Sequence, residues 1–131
     1  MNPIAFHEPN YLFLWLMTFQ GAYFMTLLLE TPVYVSFLWR KGGWLKAVAV
    51  SGLMNSMTLP VVWFVLPPYL IRDYLLFFVV AELFAWLGEA VLVKLLVEKV
   101  SWRRAILAAF VANAISASAG LAVSFVLAPY I

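Results

Sequence analysis

Of the 131 residues, 66% are hydrophobic and only 11% are charged, the mean hydropathy is +1.01, and there is no cysteine. A soluble domain usually carries about 25% charged residues, so the composition excludes an ordinary water-soluble fold and predicts an integral membrane protein. The missing thiols exclude disulfide relay, thiol redox chemistry and thiolate metal sites. The net charge of +2 does not signal nucleic acid, because the cations flank apolar runs instead of forming one basic face. The polar connections are too short to fold alone, so residues 1–131 are expected to be a single transmembrane domain.

The first ten residues, MNPIAFHEPN, lack the cationic start of a secretory signal and are expected to be retained. They hold the only histidine, His7, which by ligand count is read as a solvated interfacial residue and not a metal site. Asn10 is the expected cap of a first span over 11–38. At 1.5 Å per residue that span is about 42 Å long, more than the roughly 30 Å hydrocarbon core, so it has to tilt, kink or protrude. Pro32 is the expected kink, since it frees the Leu28 carbonyl, and Glu30 lies just before it. Arg40, Lys41, Gly42 and Gly43 read as a tight basic turn.

A second span over 44–66 carries Ser51, Asn55 and Thr58 at i, i+4 and i+7, a polar stripe on one helix face. Pro60 should free the Ser56 carbonyl, and Pro67 and Pro68 should end the helix. The third span, 74–97, holds Glu82 and Glu89 seven residues apart, so both fall on one face, offset by about 10 Å along the axis. A carboxylate in a bilayer centre costs at least about 2.5 to 3.5 kcal/mol, so that face should turn towards protein or water. The fourth span, 102–127, is expected to be capped by Ser101 and to present Asn113, Ser116, Gly120 and Ser124 as a small, polar face suited to close helix approach.

Four spans put both termini on one side. Of the eight Lys and Arg, only Arg72 belongs to the second connection; Arg40, Lys41, Lys46, Lys94, Lys99, Arg103 and Arg104 flank the first and third. That bias predicts a cytoplasmic position for those two connections and external termini, as in a prokaryotic cytoplasmic membrane. The aromatic residues agree, with Trp39, Trp44 and Trp102 near one interface and Tyr11, Tyr69, Tyr74 and Tyr130 near the other.

The halves of the chain also match. Trp44-Leu-Lys-Ala aligns with Trp102-Arg-Arg-Ala, and eleven residues beyond each tryptophan stands Asn55 or Asn113, followed three residues on by Thr58 or Ser116. Glu30 and Glu89 precede their tryptophans by fourteen and thirteen residues. Two parallel two-helix repeats about a pseudo-twofold axis would give this pattern, as would the shared demands of membrane spans. Counted from the basic ends, Glu30, Asn55, Glu89 and Asn113 lie at a common depth of roughly 13 to 15 Å, with Thr58, Ser116 and Glu82 beyond. Lys94 is expected to snorkel away from this layer. Trp86, one turn from each glutamate, reads either as bundle packing or as the wall of a cation site.

An excess of carboxylate over basic groups in one layer has three resolutions. The acids are neutral and hydrogen-bond to the asparagines; or they exchange protons as part of a relay or transport site; or a cation binds, with Glu30, Glu82 and Glu89 as possible metal ligands and Asn55, Thr58, Asn113 and Ser116 as further oxygens. No zinc-protease, nucleophile-elbow, Walker or dinucleotide motif is present, and no redox cofactor is implied. The chain is similar to the small multidrug resistance transporters in length and in a glutamate of the first span. The paired third-span glutamates and the Asn-x-x-Ser/Thr pair depart from that pattern, so no residue roles are carried over. The expected protein is an all-α bundle of four transmembrane helices that binds or moves a cation, proton or divalent metal, in contact with membrane lipids and as a homo-oligomer. A membrane enzyme acting on a lipid or isoprenoid, and a non-catalytic accessory subunit, are the alternatives.

Overall fold

Helix is the only regular structure among residues 18–70 and 72–127, which the computed structural model describes. The elements are α1 (Phe19–Pro60), a π-helical stretch Val61–Val65, a short α2 (Pro67–Leu70), α3 (Tyr74–Leu96) and α4 (Trp102–Leu127). Three stretches, Phe19–Val65, Tyr74–Leu96 and Trp102–Val126, are long and apolar enough to cross a membrane.

The longest of these is not straight. Gly43 interrupts α1 with φ 83° and ψ 164°, a region that is essentially open to glycine alone. Across it, the Tyr23 hydroxyl is 2.8 Å from Ser56 Oγ, thirty-three residues later, a separation of about 50 Å in a continuous helix. Thr31 Oγ1 and Ser51 Oγ are likewise 2.9 Å apart. Residues 19–42 and 44–60 are therefore two antiparallel limbs that reverse at a single residue. The expected basic turn shrinks to this point, since Arg40, Lys41 and Gly42 remain helical.

Other boundaries follow from local chemistry. The first limb begins at Phe19, where Thr18 Oγ1 accepts from the Gly21 N–H at 3.2 Å; Asn10 and the rest of residues 1–17 lie outside the described residues. Pro32 lies inside α1 without ending it, and Pro60 is the last residue of α1, where regular α-helix gives way as expected. The chain after Pro60 widens into the π stretch, where Leu66 N–H bonds to the Val61 carbonyl, a local adjustment that re-satisfies the backbone beyond a proline. Pro67 does not stop the chain from turning again but opens α2, as proline suits a first helical position. Asp73 caps α3 by accepting from Leu76 N–H at 3.0 Å. Ser101 caps α4 through Arg104 N–H at 3.2 Å, as expected.

Burial runs opposite to that of a soluble bundle. Leu28, Leu95 and Phe125 are 76%, 73% and 78% exposed, whereas Glu30 and Glu89 are each 1% exposed. An apolar core fills only the half of the bundle nearest Gly43: Tyr34, Leu38 and Met54 from the limbs of α1, and Val93, Val97 and Val100 from α3 and the turn after it. Ala105, Ala108 and Ala112 of α4 close this core, all fully buried. Their small side chains let the backbone of α4 come close to its neighbours. Lys94 donates to the Val100 carbonyl at 2.7 Å, so it pins the α3–α4 turn instead of reaching solvent freely.

Gly43→Ala should lower the thermal midpoint of the purified protein, because a Cβ there meets no neighbouring atom but is forced into a backbone region costing about 1 to 3 kcal/mol. Gly52→Ala, in a helical position where a Cβ also meets nothing, should leave the midpoint unchanged or raise it. Equal midpoints for both variants would show that the reversal does not depend on the Gly43 conformation.

Candidate functional site

The two buried acids come from helices on opposite halves of the chain, Glu30 from the first limb of α1 and Glu89 from α3. Among the described residues the charged groups acting on Glu30 are the carboxylates of Glu89 and Glu82, and no cation is among them. The oxygens of Glu30 and Glu89 are instead met by neutral donors. Asn55 Nδ2 donates to Glu30 Oε2 at 3.2 Å and Ser116 Oγ to Glu30 Oε1 at 2.6 Å. Asn113 Nδ2 donates to Glu89 Oε2 at 2.7 Å, and Thr58 Oγ1 lies 3.2 Å from Glu89 Oε1. A third donor, the Tyr34 hydroxyl, reaches Glu89 Oε2 at 2.6 Å.

These contacts obey one rule with one exception. Each glutamate takes an amide from its own half of the chain, Glu30 from Asn55 and Glu89 from Asn113. Each then takes a hydroxyl from the other half, Ser116 for Glu30 and Thr58 for Glu89. Each asparagine also spends an N–H on the carbonyl four residues back, Ser51 for Asn55 and Ala109 for Asn113. Burial repeats in the same register. Ala47, Val50, Ser51, Met54 and Asn55 are buried on the second limb, and at matching distances from the corresponding tryptophan so are Ala105, Ala108, Ala109, Ala112 and Asn113 on α4. Glu30, Tyr34 and Leu38 pair with Glu89, Val93 and Val97 at an offset of one residue relative to the tryptophans, and all six are buried. The exception is Tyr34, whose counterpart Val93 has no hydroxyl. Glu89 therefore has a donor that Glu30 lacks.

Not every oxygen is engaged. The single Thr58 hydroxyl proton is shared between Glu89 and the nearer Met54 carbonyl, at 3.0 Å. Asn55 Oδ1 is buried and has no hydrogen-bond partner at all, an uncommon state for an acceptor shielded from water.

The layer forms the floor of a cavity of about 250 Å³ that occupies the half of the bundle away from Gly43. Glu30, Asn55, Thr58, Glu89, Asn113 and Ser116 lie at its base, Glu82 and Phe78 line its α3 wall, and Trp63, Tyr74 and Ser124 reach its far end. All seven polar residues singled out by sequence thus line one cavity, with Glu82 apart from the two acids of the floor. Tyr34 was not among them, although a tyrosine four residues after Glu30 shares its helix face, which is a usable signal.

Two other expectations do not meet the cavity. Trp86 donates its indole N–H to the Ile106 carbonyl at 3.1 Å and packs edge-on against Phe110 at 5.3 Å, so it holds α3 to α4 and walls nothing. Leu28 and Ser56, whose carbonyls the prolines free, are exposed and do not line the cavity. Among the described residues no three His, Cys, Asp or Glu side chains converge as a metal-holding group. The chain matches no protein-family profile, no curated protein and no solved structure.

Tyr34→Phe removes one donor to Glu89 while keeping the ring in the core. It should destabilise the protein by about 0.6 to 2 kcal/mol, the range of interhelical hydrogen bonds in bilayers and their soluble equivalents. In a double-mutant cycle with Glu89→Leu most of that loss should vanish, because the acceptor is already gone. Additive losses would mean the 2.6 Å bond contributes nothing.

Proposed function

We propose that this chain is a four-span membrane protein whose interior cavity binds a cation on a floor made by Glu30 and Glu89, with the proton as first candidate. The observation that carries this reading is the pair of fully buried acids with no basic partner beside an acceptor, Asn55 Oδ1, that has no donor. Two carboxylates sharing one dry layer repel each other, and a bound proton or cation removes that repulsion. A proton fits the geometry without rearrangement. Glu89 Oε2 already accepts from Tyr34 and Asn113, while Oε1 faces a hydroxyl whose own proton has a nearer acceptor. A proton carried on Oε1 would have the Thr58 oxygen as its acceptor.

The inverted burial and the three membrane-length stretches support the spanning assignment, and the reversal at Gly43 divides the longest into two. On this reading the apolar core closes the cytoplasmic half in this conformation and the cavity faces outward, so a proton arriving from outside meets Glu82 first and the Glu30–Glu89 floor next, and onward transfer requires the core to open.

In proteoliposomes holding a pH-sensitive dye, the wild-type chain should dissipate an imposed pH gradient, and Glu89→Gln, which keeps shape and hydrogen-bonding reach but not the charge, should slow this at least tenfold. If the chain binds protons without moving them, its thermal midpoint should still shift with pH and lose that response in Glu30→Gln/Glu89→Gln. No flux, together with the same pH response in the wild type and the double variant, would reduce the layer to a packing device. Orientation is tested independently, since the chain has no cysteine of its own. Lys41→Cys should be labelled only from the cytoplasmic side and Tyr69→Cys only from outside, and the reverse pattern would invert the topology.

A further inference from the structure

A second cavity lies at the opposite end of the bundle from the acid-floored one, between the first limb of α1 and α4. It measures about 710 Å³ and is lined by Arg40, Arg103 and Arg104 with Ser36 and Ser101, and by the apolar Phe37, Trp39 and Leu107. Three arginines line it, and among the described residues no acidic side chain does. Arg40 is steadied by stacking over the Trp39 ring at 5.2 Å, which leaves its donors free to meet an anion.

The lining is ordered along the helix axes. The arginines stand at the turn end, and Ser36, Phe37 and Leu107 follow roughly one turn, about 5 Å, towards the middle of the bundle. Cationic groups at the turn end and apolar surface a turn further in is the arrangement that complements an anionic phospholipid, with phosphate at the arginines and acyl chain along Phe37 and Leu107. Leu107 is 54% exposed and Trp39 52%, so this wall is open on the side where acyl chains would lie.

The groove is not a by-product of the internal repeat. At the positions matching Trp39, Arg40, Arg103 and Arg104, the other half of the chain carries Glu98, Lys99, Leu45 and Lys46. That side thus replaces one arginine by leucine and the tryptophan by an acid. The two halves share their interior but differ in the groove that they would otherwise both possess.

We propose that this groove is a binding site for an anionic phospholipid of the cytoplasmic leaflet, held through its phosphate by Arg40, Arg103 and Arg104. The proposal rests on the membrane-spanning reading but not on the cation site. Native mass spectrometry of the full chain, released from nanodiscs containing equal phosphatidylglycerol and phosphatidylcholine, is the test. The wild type should retain one phosphatidylglycerol in at least tenfold preference to phosphatidylcholine, and Arg40→Gln/Arg103→Gln/Arg104→Gln should lose that preference. Lys46→Gln/Lys99→Gln, on the matching side, and Glu89→Gln, in the other cavity, should both keep it. Inorganic phosphate at millimolar concentration should not displace the lipid. Equal retention of the two lipids by the wild type would overturn the site. So would loss of preference in the Lys46/Lys99 variant comparable to that in the triple variant, which would mark a general charge effect, or displacement by phosphate alone, which would make the ligand a free anion.

Discussion

The packing of this bundle turns on two carboxylates that have to be satisfied without a cation. Burying an acid in an apolar interior is expensive unless its oxygens find donors, and here the donors are drawn from every other helix. Tyr34 comes from the first limb of α1, Asn55 and Thr58 from the second, and Asn113 and Ser116 from α4. Helices carrying these groups cannot rotate or slide by a residue without stranding at least one of them. Individual bonds of this kind average about 0.6 kcal/mol in bilayers, so their effect lies in fixing one register among many similar apolar packings more than in raw stability. The alanines of α4 make the arrangement reachable, since Ala105, Ala108, Ala109 and Ala112 are fully buried and hold no bulk between the backbones.

How much of this could be read from the chain depended on which features were one-dimensional. Depth was readable, because helical rise is constant and the basic residues mark one end; Glu30, Asn55, Glu89 and Asn113 do meet in one network. The stripe of Ser51, Asn55 and Thr58 was readable from its spacing, and all three are buried. Direction around the axis was harder. Trp86 has the expected depth but points at α4, since nothing in an all-apolar helix says which side its neighbour takes. Tyr34 was hidden by the abundance of aromatic residues in such spans, where a phenol usually marks an interface. The two adjacent glycines of the first turn could not be told apart by sequence, and only Gly43 takes the positive φ. The interruption at Pro60 was readable from the residue type, but not its form, because the sequence does not say that a π stretch would re-satisfy the freed backbone.

The bundle is also two materials end to end. Near Gly43 it is packed with aliphatic and alanine side chains, and beyond the acid layer the same helices separate around a cavity. The boundary falls where Glu30 and Glu89 sit, so the acids have dense protein on one side and accessible volume on the other. Tyr34 belongs to both regions, with its ring in the core and its hydroxyl on Glu89, and is the side chain through which a change at the floor would be felt by the packed end.

On the proposed membrane-spanning reading, the single-residue reversal at Gly43 bears on how the chain would enter a bilayer. A hairpin with almost no connecting loop places Asn55 against Glu30 by local closure alone, before any contact with the second half of the chain is needed. The second hairpin does the same for Glu89 with Asn113, across the short turn at Lys99. Each hairpin can therefore partition with its acid already partnered by an amide, and the hydroxyls of Thr58 and Ser116, which reach across to the opposite acid, are left for the later step in which the two hairpins dock. On that reading insertion and assembly become separable events, and the division between them runs through the hydrogen bonds of each glutamate.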